Sequence, residues 1–124
     1  LKWRPTSWQS WTLGHYFARR SGSEPFITAS VPSYGAHLLG VFKLPERRSI
    51  SVFVEASSPI RWIGEPAAVA SSRRIDLRFE QGFDLEGLRG SLAMVVQALN
   101  GSVTDFRSGQ SFERRGFLVL SLEY

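Results

Sequence analysis

The chain has no cysteine, one methionine, two histidines and only two lysines among its 124 residues. Without cysteine there is no disulfide scaffold, no thiol nucleophile and no cysteine-ligated zinc or iron–sulfur site. His15 and His37 are the only histidines, and neither has a second histidine three to five residues away. A transition-metal centre is therefore not expected, and each ring should pack beside aromatics and bond one backbone group. No cofactor is implied either. The dinucleotide fingerprint Gly-x-Gly-x-x-Gly, the phosphate loop ending in Gly-Lys-Ser/Thr and the Gly-x-Ser-x-Gly elbow are all missing. Apolar runs are short: the longest, 92–96 and 117–122, are of core size, so no membrane span is expected.

A length of 124 residues, 43% hydrophobic and 13% aromatic content place the chain among folded single domains, away from the composition of disordered segments. Residues 1–124 read as one domain, and a first residue of Leu1 rather than methionine suggests a domain excised or processed from a longer chain. The one candidate seam is the small-residue run 66–72. Charge is uneven. Residues 1–62 carry eight Lys/Arg against three Asp/Glu, and residues 63–124 carry seven against eight, which places the whole excess of +4 in the first half.

Stretches rich in β-branched and aromatic residues predict strands at 26–31, 36–43, 50–56 and 60–63, joined by short turns as in an antiparallel meander. Ile50, Val52 and Val54 alternate with Ser51, Phe53 and Glu55; Ile75, Leu77 and Phe79 alternate with Asp76, Arg78 and Glu80, adding a half-exposed strand at 74–80. Residues 5–20 fit either a helix carrying Trp8, Trp11 and His15 or a strand alternating Trp11, Leu13, His15 and Phe17. A helix is expected at 84–100, capped by Asp84, striped by Leu85, Leu88, Leu92, Val95, Val96 and Leu99, and stopped by Asn100-Gly101. Gly87 and Gly90 would cost it about 2 kcal/mol relative to alanine. Strands at 102–107 and 116–124 follow, the last apolar enough to be central. The expected class is α+β: a mainly antiparallel sheet covered by one helix, with a β-α-β-β unit after residue 74 in the manner of a ferredoxin-like half-fold.

No catalytic constellation emerges. Asp76, Glu80 and Asp84 lack a nearby lysine, and Arg78 is their obvious partner. A small metal-independent ribonuclease built on His15, His37, Tyr34 and arginines is a third reading. Thirteen arginines, paired at 19–20, 47–48, 73–74 and 114–115, favour either phosphate contact or the solvated rim of a sheet. Trp3, Trp8 and Trp11 put flat aromatic surface near Arg4. The leading expectation is a non-catalytic module binding a protein partner, or a second copy, through Trp3, Arg4, Trp8, Trp11, Arg19, Arg20, Arg47 and Arg48; strand 36–43, if at an edge, would pair with that copy. The alternative is an RNA- or single-stranded-DNA-binding domain in which Trp8 and Trp11 stack bases and Arg4, Arg19, Arg20, Arg47 and Arg48 meet phosphates.

Overall fold

The computed structural model describes residues 1–19, 30–60, 71–101, 103–104 and 111–123. Those residues are all sheet and turn. Seven strands form a single antiparallel sheet: β1 (Lys2–Thr6), β2 (Gln9–Phe17), β3 (Tyr34–Leu44), β4 (Arg48–Ser57), β5 (Arg73–Leu85), β6 (Leu88–Gln97) and β9 (Arg115–Glu123). Each pairs with its neighbour in sequence, giving the order β1-β2-β3-β4-β5-β6-β9. Two-residue strands β7 (Val103–Thr104) and β8 (Ser111–Phe112) form a separate small ladder between β6 and β9.

This corrects the α+β expectation. The segment 84–100 is no helix: it holds the end of β5, a turn and β6. Glu86 and Gly87 take positive φ (34° and 92°), as a two-residue hairpin turn between right-twisted strands requires. Leu88, Leu92, Met94 and Val96 then fall on one face by period two. The β-α-β-β unit disappears with the helix. Two placements also change: the strand expected at 116–124 is an edge strand, and that expected at 36–43 is interior, flanked by β2 and β4. Residues 5–20 resolve mainly as strand, with Pro5 tolerated because β1 is an edge. The strand expected at 26–31 and that at 60–63 fall mainly outside the described residues, as does most of the seam 66–72.

The connections alternate in length. Turns 7–8, 45–47 and 86–87 lie at one end of the sheet; connections 18–33, 58–72 and 98–114 lie at the other. The ends are called the short-turn rim and the long-loop rim below. Register adds a steady stagger: the β1–β2 turn starts level with Phe42, β3 and β4 run two residues further, and β5 and β6 run four residues beyond Arg48. Successive hairpins thus step in one direction, the offset that tilted strands need to curl into a barrel.

At the long-loop rim, Ser58 is the one buried polar residue among the described residues, 3% exposed. Its hydroxyl oxygen accepts from the backbone N–H of Ser33 at 2.8 Å and of Tyr34 at 3.3 Å, tying the start of β3 to the end of β4. Ser58→Ala should cost about 1–2 kcal/mol, because it leaves those donors short of an acceptor. Chemical denaturation against Ser57→Ala checks this, and equal midpoints would contradict it.

Packing is unusually thin. Among the described residues the buried hydrophobics are Ala93 and Ala98, and no large side chain is fully buried. Neither face of the seven-stranded sheet carries a covering layer among the described residues.

Candidate functional site

Cross-strand partners share a face, so the register sorts every strand residue onto one of two surfaces. One is apolar from strand to strand. The rows Leu13–Leu38–Val54–Ile75, Trp11–Gly40–Val52–Leu77–Val96–Gly116 and Phe42–Ile50–Phe79–Met94–Leu118 run across it. Leu120 and Leu122 continue it along β9. The opposite surface holds all charged residues of the seven strands except Arg48 and Arg73, and those two stand at strand ends.

The apolar face is open. Leu118 is 69% exposed, Leu120 61% and Met94 51%. Aromatics gather toward both of its margins. Phe17 pairs with Tyr34 at the long-loop rim. Toward the short-turn rim, Trp11 meets Phe42 edge-on with centroids 5.3 Å apart, Trp8 lies 6.3 Å from Phe42, and Trp3 pairs with Trp11. Glycines on this face serve as seats for rings: a Cβ on Gly40 would lie 2.7 Å from Trp11, and one on Gly90 2.5 Å from Phe83 and 2.9 Å from the Ser121 carbonyl oxygen.

On the polar face, charges along β5 neutralise each other. Arg74 donates to Asp76 from Nε (2.8 Å) and Nη2 (2.5 Å), and Arg78 donates to Glu80 from Nη2 (3.0 Å). Asp76 also accepts the backbone N–H of Ala98 at 3.1 Å. Near the short-turn rim, Arg47 pairs with Asp84, which raises the guanidinium further above its ordinary range. The pair lies beside a shallow cleft, lined by Arg47, Ser49, Glu80, Arg89, Ser91 and Glu123 among others, in which acids and bases alternate.

The residues singled out in the sequence do not make one surface. Trp3 and Trp11 sit on the apolar face, Arg4 on the polar face, and Trp8 in the turn between β1 and β2. Arg47 is held by Asp84; Arg48 pairs with Glu46 and donates to Gln81 Oε1 at 2.8 Å. Arg19 lies past the end of β2 at the long-loop rim, and Arg20 lies outside the described residues. His15 is on the apolar face against Phe17, whereas His37 is on the polar face over Gly14, stacked on Phe53. Among the described residues, no group of three or more His, Cys, Asp or Glu is placed to hold a metal ion, and no helix is long and apolar enough to cross a membrane. Comparison with family models, curated proteins and solved structures returns no match.

Leu92, Met94, Leu118, Leu120 and Leu122 stand exposed on the apolar face, a surface that composition and motif reading did not single out. Their signal was alternation over β6 and β9, masked in β9 because Phe117 and Val119 make the opposite face apolar there as well.

Proposed function

We propose that this chain forms the wall of a transmembrane β-barrel, its apolar face toward lipid and its polar face toward the lumen. The observation that carries the reading is the segregation of charge over seven strands combined with an apolar face that no other described residue covers. A water-soluble sheet would bury that face under a second layer. Strands β2, β3, β4, β5, β6 and β9 have 9–13 residues, and about 9–11 tilted residues cross a bilayer. Two aromatic margins, short turns at one rim, long connections at the other and a one-way stagger are further marks of such barrels. The lack of long apolar runs speaks only about helices, because a strand crosses with every second residue. β1 and β9 are the edges of the sheet and must be paired, with each other or with further strands, since an open edge in hydrocarbon leaves backbone groups unbonded.

The polar face carries the ion pairs Arg47–Asp84, Arg74–Asp76 and Arg78–Glu80, which would then stand in the lumen. A protein-binding module, the reading composition favours, would turn the same Trp3–Trp11 surface against a partner instead. The two part company in lipid. The barrel reading expects the chain to gain its full strand content only with micelles or vesicles, and to resist carbonate extraction once inserted. A monodisperse, fully β-structured protein in detergent-free buffer would overturn it.

A further inference from the structure

A second cleft, about 290 Å³ in volume, lies at the short-turn rim between the β1–β2 turn and the end of β3. Arg4, Thr6, Ser7, Ser10 and Lys43 are among its lining residues, with Trp8 at its edge. The Lys43 N–H donates to the Trp8 carbonyl at 2.6 Å and fixes the turn against β3. Among the described residues no carboxylate lines it, and no Asp or Glu occurs in β1, β2 or β3. The contrast with the neighbouring cleft is chemical. There Glu80 and Glu123 stand among Arg47 and Arg89, so the charges cancel; here Arg4 and Lys43 line the cleft with Thr6, Ser7 and Ser10 and without an acidic residue among the described residues. Lys2 adds a third cation on the same face of β1.

From this we infer that the cleft binds a phosphate-type oxyanion. Arg4 supplies a planar fork of N–H donors, Lys43 a compact charge, and the hydroxyls of Ser7 and Ser10 the additional donors that a multiply charged oxyanion accepts. Arg4, Ser10, Val41 and Lys43 share the polar face, so the ligand enters from that side. If the barrel reading holds, this is the lumen, and a basic wall there selects anionic solutes as rings of Arg or Lys do in anion pores. Only the direction of approach rests on that reading.

The test is calorimetric titration of the full chain in maltoside micelles with inorganic phosphate and pyrophosphate, using chloride at matched ionic strength as reference. Phosphate should bind well above chloride. Arg4→Gln and Lys43→Gln should each weaken it about tenfold, while Arg19→Gln at the opposite rim should leave it unchanged. Nanodiscs of phosphatidylglycerol and of phosphatidylcholine identify the source. A phosphatidylglycerol preference lost in the same two variants points to a lipid headgroup; binding of soluble phosphate with no such preference points to a solute. Phosphate binding no tighter than chloride, or variants that bind as the parent does, would overturn the inference. Carbonate extraction of the same protein reconstituted into vesicles separates the two proposals: inserted protein that ignores phosphate ends this one alone.

Discussion

Arginine in place of Leu120 is expected to cost about 2–4 kcal/mol of folding stability in a bilayer, and arginine in place of its neighbour Ser121 less than about 1 kcal/mol. Both residues lie in β9, one position apart along the strand, and differ in face: Leu120 opposes Leu92 on the apolar side, Ser121 opposes Ser91 on the polar side. A guanidinium at Leu120 must enter hydrocarbon or bend the bilayer toward itself, whereas one at Ser121 joins a surface already carrying Glu80, Arg89 and Glu123. For a water-soluble sheet the difference disappears. Leu120 is 61% exposed, and substitutions at such a surface site usually stay within about 0.5 kcal/mol. Denaturant titration of both variants refolded into vesicles decides between the accounts. Equal midpoints would mean that the apolar face does not meet lipid.

The second large effect is expected at Asp76. Its carboxylate receives two bonds from Arg74 and one from the backbone N–H of Ala98, a residue with no exposed surface. With side-chain exposures of 29% and 14%, the Arg74–Asp76 pair is the least solvated ion pair on the polar face among the described residues. Asp76→Ala removes all three bonds and should cost about 2–4 kcal/mol, most of it from desolvated groups that lose their acceptor. Asp76→Asn keeps an acceptor for Ala98 and should cost about half as much. The ordering is the diagnostic part. If alanine and asparagine shift the unfolding midpoint equally, the Ala98 bond contributes nothing and the loss is the ion pair alone.

Local strand patterning was legible, the assembled surface much less so. Alternation at Ile50–Val54 and Ile75–Phe79 identified two strands and their apolar sides correctly. The missed helix shows where period counting fails: Leu85, Leu88, Leu92 and Val96 satisfy a spacing of three and four, and also lie on one side of a hairpin once Glu86-Gly87 turns the chain. Gly87 was the available clue, since a glycine beside an acidic residue is a weaker helix element than a turn. The arginine pairs do not act as units. Adjacent strand residues point to opposite sides, so Arg73 and Arg74 stand on different faces and cannot form one patch. The apolar face was invisible because each strand shows only every second residue of it; it appears when register aligns six or seven strands.

The absence of cysteine makes the decisive measurement straightforward, because any introduced cysteine is unique. Nitroxide labels placed singly at residues 117–122 of β9, in protein reconstituted into vesicles, report collision with oxygen, which enriches in lipid, and with a water-soluble nickel chelate. The account predicts a period of two: high oxygen and low nickel accessibility at Leu118, Leu120 and Leu122, with the reverse balance at Phe117, Val119 and Ser121. A flat profile, or nickel access at all three leucines, would contradict a lipid-facing sheet.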